Sequence, residues 1–171
     1  MIQLIELNAT EHADRYKAFF LKGLRENAAH FRMTYADDLS APFPTHGTAD
    51  SFTLAAVDTA TDAEAFVAVV SFEREGANRE KLQHKGLIFR MLVDTAYQGK
   101  GIGRMILEET LHRARQAEGI EQVNLTVVNP LAKKLYTSLG FRTFAVEERA
   151  QKHNGSYQTE ETMVLFLTNH A

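Results

Sequence analysis

The chain has no cysteine among its 171 residues. Disulfides, thiolate nucleophiles and thiolate metal sites are therefore excluded. An excess of positive charge is also missing: the formal net charge is −3 at pH 7, which argues against a nucleic-acid partner. The seven histidines are scattered, with no pair at the helical spacing of metal ligands, so we expect no metal site.

Long hydrophobic runs are absent as well. The longest, at residues 65–70, is far too short to cross a bilayer. The first six residues contain no basic region followed by an apolar stretch, so we expect no signal peptide and a cytoplasmic protein without a membrane partner. Hydrophobic residues make up 44% and charged residues 24% of the chain, and its length predicts a single domain over residues 1–171.

Glycines are concentrated in one place, where Gly99, Gly101 and Gly103 occupy alternate positions. An apolar run precedes them and an amphipathic pattern follows, which predicts a strand, a tight turn and a helix. Backbone N–H groups converge at such a helix N-terminus and favour an anion, and Lys100 and Arg104 add positive charge beside it. The spacing fits neither the dinucleotide fingerprint nor the Walker loop.

Periodicity along the rest of the chain predicts alternating strands and helices. Strands are expected at residues 2–7, 51–57, 64–74, 85–93, 123–128, 141–147 and 162–167. Helices are expected at residues 11–29, 102–117 and 130–139, the first with an inward face of Ala13, Tyr16, Phe20, Leu24 and Ala28. Two of the three prolines lie in residues 30–50, which predicts a loop with one short helix, either a binding loop or a solvated connector.

Two motifs carry a family resemblance. Gln98, Gly101 and Gly103 match the pattern Gln/Arg-x-x-Gly-x-Gly/Ala. The stretch from Asn129 to Tyr136, followed by Gly140-Phe141, matches Asn-x-x-Ala-x-x-Leu-Tyr and its closing Gly-Phe. In this order the two motifs resemble those of the GNAT (Gcn5-related) N-acetyltransferases. The resemblance implies an α/β (α+β) fold: a mixed, twisted sheet of about seven strands flanked by helices on both faces.

The resemblance also implies acetyl-CoA as co-substrate and assigns the residues that bind it. The CoA pyrophosphate would lie on backbone N–H groups of the glycine-rich turn, namely Gln98, Gly99, Lys100, Gly101, Ile102, Gly103 and Arg104. The pantetheine would pair with main-chain groups of Met91, Leu92 and Val93, one of which could polarise the thioester carbonyl. Asn129 would bond the pantetheine, and Tyr136 would protonate the departing thiolate.

The acetyl acceptor and the general base are not assigned by the resemblance. An alkyl ammonium must lose a proton before it attacks, and we nominate Glu73 as the base, against the alternative that it is a solvated member of the patch Glu73-Arg74-Glu75. Tyr136 could likewise be an ordinary core aromatic. The acceptor site is expected between the first helix, residues 31–44 and residues 153–159, with Phe31, Tyr35, Phe43 and Tyr157 as an aromatic wall and Asp37 or Asp38 attracting a cationic amine.

The function implied is transfer of an acetyl group from acetyl-CoA to a primary amine of a small molecule or peptide. Because no cysteine can carry an acyl intermediate, direct attack in a ternary complex is expected. The alternative is a non-catalytic acyl-CoA-binding sensor or regulatory module. Homodimers are common in the family, and no sequence feature here demands one.

Substitutions in the glycine-rich turn should separate main-chain from side-chain binding. We expect Lys100→Ala to weaken acetyl-CoA binding only modestly, because the phosphate contacts are largely main chain. Gly103→Asp should abolish binding, because it places like charge where the pyrophosphate lies. Calorimetric titration of acetyl-CoA into both variants measures this, and wild-type affinity in Gly103→Asp would contradict the assignment.

Overall fold

The computed structural model describes residues 1–167. Their strands are β1 (Ile2–Leu7), β2 (Ser51–Asp58), β3 (Asp62–Arg74), β4 (Lys85–Val93), β5 (Gln122–Val127), β6 (Arg142–His153) and β7 (Ser156–Phe166). Their helices are α1 (Ala9–Glu26), α2 (Tyr35–Asp38), α3 (Ile102–Gln116) and α4 (Pro130–Ser138), with single 3-10 turns at Ala28–His30 and Thr95–Tyr97. In this part of the chain we find no helix with the length and apolar character needed to span a membrane.

Residues 1–167 build one seven-stranded sheet in the order β1-β2-β3-β4-β5-β7-β6. The pair β4–β5 is parallel and the other pairs are antiparallel. A parallel pair needs a crossover connection, and α3 supplies it. The mixed sheet predicted from the sequence is confirmed.

Both faces of the sheet are covered, because successive strand residues point to opposite sides. On β2, Leu54 and Ala56 join the core beneath α3 and α4, whereas Ala55 and Val57 join the core beneath α1. The helices therefore lie on both faces, as predicted. The predicted inward face of α3 is also confirmed, since all its members are buried: Ile102, Ile106, Leu107, Leu111, Ala114 and Ala117.

The end of α1 differs from its prediction. The helix begins earlier, after the Asn8 cap whose side chain accepts the Glu11 N–H at 2.8 Å, and it ends at Glu26 rather than at residue 29. Asn27 is its C-cap, with a non-helical φ of −127° and ψ of 36°, and both its backbone N–H and its side-chain amide donate to the Gly23 carbonyl, at 2.9 and 3.0 Å. Ala28, predicted to face inward, consequently lies in the 3-10 turn and is exposed.

The last two strands are longer than predicted. The sequence predicted strands at 141–147 and 162–167, whereas β6 and β7 continue to a tight turn at Asn154-Gly155. Both turn residues have positive φ, 48° and 78°, which matches the twist of a two-residue hairpin. The extension was missed because its side chains are mostly polar and exposed, so no alternating hydrophobic pattern marks it.

A close contact joins α1 to the strand beside the glycine-rich turn. Gly23 packs on Leu92, so closely that a Cβ at Gly23 would lie 2.1 Å from Cδ2 of Leu92. At the same end of α1, Lys22 donates to the Asp94 carboxylate at 2.8 Å. These two contacts fix α1 against the end of β4.

This packing predicts that one substitution, Gly23→Ala, changes the free energy of unfolding in opposite directions in two backgrounds. Gly23→Ala should lower the free energy of unfolding by about 1–3 kcal/mol, because overpacking against Leu92 outweighs the gain in helix propensity. In a Leu92→Ala background the same substitution should raise it by about 1 kcal/mol, because the space is free and alanine favours helix. Urea unfolding followed by circular dichroism measures both, and equal losses in the two backgrounds would contradict the contact.

Candidate active site

The site is organised around a fork between the two parallel strands. Backbone pairing between β4 and β5 runs from Lys85 and Gln122 to Leu87 and Asn124. Beyond that point β4 continues to Val93 and β5 to Val127, each leading to the start of a helix. Strand edges that stop pairing leave N–H and C=O groups to be satisfied by another partner. Met91, Leu92 and Val93, which the sequence assigned to a pantetheine chain, lie on this unpaired edge.

The glycine-rich turn lies at the end of the fork where the two strands have separated. Gly99 and Gly101 have φ of 74° and 80°, a backbone region that disfavours side chains, and a Cβ at either would meet nothing within 4 Å. Glycine is therefore required at both positions because of its backbone conformation, and not because a side chain would clash with a neighbour. The turn leads into α3, whose first N–H groups have no intrahelical acceptor and can bind an anion. Gln98 closes the turn by donating to the Val93 carbonyl at 3.2 Å.

The charged side chains of the turn are only partly free. Lys100 lies over the Tyr97 ring at 4.8 Å and is exposed. Arg104 donates to the Ser138 hydroxyl at 2.5 Å and pairs with Glu108 at 3.3 Å, so its guanidinium joins α3 to the end of α4. Gly103 permits that approach, because a Cβ there would lie 3.3 Å from Leu135 and 3.5 and 3.6 Å from Met91 and Val93. An aspartate at this position would point into these apolar side chains, which corrects the expectation that its charge would lie at the pyrophosphate.

Tyr136 lies on α4 with its ring in the core beneath α3 and α4. It is 6% exposed and makes an edge contact with Phe141, with ring centroids 6.0 Å apart. The same core contains the side chains of Met91 and Val93, which places the tyrosine beside the fork. Burial raises the pKa of Tyr136 to about 12, so the hydroxyl keeps its proton at neutral pH and can act as a donor.

Asn129 lies at the mouth of the fork as the N-cap of α4. Its side-chain oxygen accepts the Leu131 N–H at 3.0 Å, and Pro130 follows at the position of the helix that tolerates proline best. Its amide nitrogen lies 3.4 Å from Nδ1 of His30. The residue assigned to the pantetheine is thus a helix cap whose amide points to the segment after α1.

Glu73 lies at the closed end of the fork. It pairs with Leu87, the residue at which β4 and β5 stop pairing. Its neighbour Phe72 belongs to the core beneath α3, so Glu73 faces the α1 side. It lies about 10 Å along the strand direction from Met91. Burial raises the pKa of Glu73, and the charge of His46 opposes that rise.

A β-bulge interrupts β4 within the fork. Ser71 pairs with Phe89 and Val69 with Leu92, so the single residue between them on β3 faces two on β4, Arg90 and Met91. Arg90 has φ of 53°, a conformation that costs of order 1–3 kcal/mol outside glycine. Its guanidinium donates to the buried Asp38 carboxylate at 2.5 Å.

The predicted acceptor region contains a cleft of about 370 Å³. Its walls come from the segment after α1 and from β6: Ala28, Phe31, Arg32, Thr34, Glu147, Ala150, Gln151, Lys152 and His153. Arg32 crosses to β7, where its Nε donates to the buried Glu160 at 2.7 Å. The turn Ala28–His30 lines the cleft and also contacts Asn129, so the cleft adjoins the mouth of the fork.

The aromatic and acidic residues proposed for the acceptor are divided. Phe31 lines the cleft, and Phe31, Tyr35 and Phe43 all pack against the core beneath α1. Tyr157 is 53% exposed, with Arg149 and Lys152 over its ring. Asp38 is 1% exposed and paired with Arg90, so it cannot attract an incoming cation as proposed.

Asp37 forms a capping box with Thr34 at the start of α2, in which the Asp37 carboxylate accepts the Thr34 N–H at 2.8 Å. His30 and Arg90 are the residues near the fork that sequence reasoning did not single out. Neither belongs to a motif. The positive φ of Arg90 was not predictable from the sequence, because residues other than glycine rarely adopt it.

Comparison with known proteins agrees with this architecture. Residues 50–143 match a family model described as an acetyltransferase (GNAT) domain. An N-alpha-acetyltransferase RimI from Mycobacterium tuberculosis is 39% identical over 64 residues, which cover 37% of this chain and 39% of that protein. The matched segment thus spans well under half of the relative.

Solved structures share the fold at low identity. A GNAT-family acetyltransferase from Streptococcus pneumoniae superposes with a TM-score of 0.79 at 19% identity, covering 98% of this chain and 100% of that one. The Salmonella typhimurium protein yncA, solved with its cofactor acetyl-CoA, superposes with a TM-score of 0.77 at 18% identity, covering 100% and 96%.

The two roles of Asn129 can be separated by substitution. Asn129→Asp and the neutral Asn129→Ser both keep a side-chain oxygen for the α4 cap but remove the amide donors. We expect unchanged thermal unfolding midpoints and a loss of about ten-fold in acetyl-CoA affinity in both, the cost of about one hydrogen bond. Wild-type affinity by calorimetry in both variants would leave Asn129 with the capping role alone.

Proposed function

The chain belongs to the GNAT acetyltransferase family, and on that premise we propose that it transfers an acetyl group from acetyl-CoA to a primary amine of a small molecule or peptide. Acetyltransferases of this family use acetyl-CoA as co-substrate. The observation that carries the proposal is the fork between β4 and β5, with the glycine-rich turn at the end where the two strands have separated. It offers an unpaired strand edge to an extended amide-containing arm and a helix N-terminus to its phosphates.

Binding and positioning come from the main chain. The pyrophosphate lies on the N–H groups of residues 98–104, and the pantetheine pairs with residues 91–93 as an added strand. A backbone N–H of β4 at the thioester carbonyl stabilises the charge that develops on its oxygen during attack. Asn129 holds the arm at the mouth of the fork.

Proton transfers come from side chains. The departing CoA thiolate takes the proton of the Tyr136 hydroxyl, which is protonated at neutral pH, and the tyrosinate left behind regains a proton from water. The attacking amine loses its proton to Glu73 through intervening water, and the raised pKa of this carboxylate makes it a stronger base than an exposed glutamate. Attack is direct, within a ternary complex, since no cysteine is present to carry the acetyl group.

The acceptor occupies the cleft between the segment after α1 and β6. This cleft adjoins the mouth of the fork, and Glu147 supplies an exposed carboxylate that can bind an ammonium group. The name of the mycobacterial relative, an N-alpha-acetyltransferase, favours a peptide N-terminus among the primary amines. The extended β6–β7 hairpin gives the cleft a long wall suited to a peptide.

Turnover is tested with acetyl-CoA and a panel of amines that includes short peptides, by thiol release. The protein has no cysteine, so it contributes no thiol background. Tyr136→Phe should lower kcat by about 10²–10³-fold without changing the acetyl-CoA Kd, because only the general acid is removed. Acetyl-CoA binding without turnover on any amine would support the sensor module instead, and the absence of binding would overturn both.

The pH dependence tests the base. Glu73 acts deprotonated, so activity should fall as pH drops through its raised pKa. Glu73→Gln should lower kcat/KM by about 10²-fold at neutral pH and remove this acid limb. Glu75→Gln, in the same charged patch, is the matched control and should keep the limb. Loss of the limb in His30→Gln, with the limb retained in Glu73→Gln, would assign the base to the imidazole.

A further inference from the structure

A strained residue stands inside the strand that binds the cofactor. Arg90 occupies the β4 bulge with φ of 53°, next to Met91, where the pantetheine site begins. A strained backbone persists only when its surroundings determine it. No glycine occupies this position, and the Arg90 side chain has fixed contacts that can provide that constraint.

The Arg90 side chain is held from two directions. Its guanidinium donates to Asp38 of α2 at 2.5 Å and lies 4.7 Å from the ring centre of Phe20 on α1. Arg90 is 12% exposed and Asp38 1% exposed, so water does not compete for the pair. The hydroxyl of Tyr16 lies near the same guanidinium, whose charge opposes the burial that raises the pKa of Tyr16 to about 12.

The partner of Arg90 is itself fixed. Lys17 of α1 donates to the backbone carbonyls of Asp38 and Ala41, at 2.7 and 2.5 Å. The segment containing α2 is therefore held against α1 by contacts that are separate from its contact with β4. Asp38 can then act as a rigid anchor for the bulge rather than as a mobile counter-ion.

Stability alone does not account for this arrangement. A buried ion pair gains little over apolar side chains of similar size, because both charges lose their hydration. Here one carboxylate oxygen of Asp38 is also buried without a hydrogen-bond partner in residues 1–167, which adds a further cost. What the pair does provide is a defined geometry at the bulge.

We propose that the Asp38–Arg90 pair is a positioning device that holds the β4 bulge, so that the backbone between Arg90 and Met91 presents its N–H to the thioester carbonyl in the fork. The inference rests on the proposed function, since it concerns how acetyl-CoA is held there. Neither side chain touches the substrate; each acts through the backbone of β4.

This role predicts a difference between two small residues at position 90. Glycine adopts a positive φ without strain, whereas alanine does not. If the side chain serves to impose the bulge, its loss should be tolerated with glycine and not with alanine. Both substitutions are made with Asp38→Asn, so that no unpaired buried charge complicates the comparison.

The experiment records the carbonyl ¹³C resonance of acetyl-CoA labelled in the acetyl group and bound to each variant, which requires no acceptor. In the wild type we expect a downfield shift from free acetyl-CoA, the sign of a hydrogen bond to the carbonyl. Asp38→Asn with Arg90→Gly should keep that shift, and Asp38→Asn with Arg90→Ala should lose most of it. Calorimetry should give the same CoA Kd for both within about two-fold.

The control is Arg113→Ala on the opposite face, where Arg113 also pairs with carboxylates and lies over a ring, that of Phe52. It should leave the shift unchanged.

If the alanine variant does not fold, Arg90→Lys replaces it and should keep part of the shift. Equal shifts in the glycine and alanine variants, or a wild-type shift equal to that of free acetyl-CoA, would overturn the inference while leaving acetyl-CoA binding intact. A wild type that binds no acetyl-CoA would overturn the proposed function itself.

Discussion

Backbone hydrogen bonding that stops partway along a parallel strand pair is the constraint on which the site depends. After Leu87 and Asn124, β4 and β5 no longer pair, although both strands continue toward their helices. Backbone groups left without partners in a protein interior are costly, so a fork of this kind is stable only if water or a ligand fills it. An arm that carries amide groups of its own satisfies the edge as a further strand would.

The rest of the fold keeps this fork open and shaped. On one face, α3 and α4 meet through Arg104 and Ser138, with Gly103 allowing the helices to approach. On the other face, α1 packs against the end of β4 through Gly23 and Leu92. The two arms of the fork are thus connected to different helices, since β4 packs against α1 and β5 leads to α4. The same packing brings Tyr136 and the side chains of Met91 and Val93 into one core.

Charge is used sparingly around the site. Arg104 has partners elsewhere in the fold, so the proposed anion site relies on main-chain N–H groups and a helix dipole. This accords with a net charge of −3 for the whole chain. On the α1 face of the sheet, burial raises the pKa of Glu73, the residue proposed as the proton acceptor.

The sequence by itself determined the order of strands and helices, the glycine-rich turn and the inward face of α3, because these depend on local periodicity and on backbone freedom at particular glycines. It also carried the two motifs that indicated the family. Only the tertiary structure decided that β6 and β7 extend through polar residues, that Ala28 lies outside α1, and that Asp38 is buried against Arg90. Those features depend on contacts between residues far apart in the chain, such as the 52 positions that separate Asp38 from Arg90, and no local pattern encodes them.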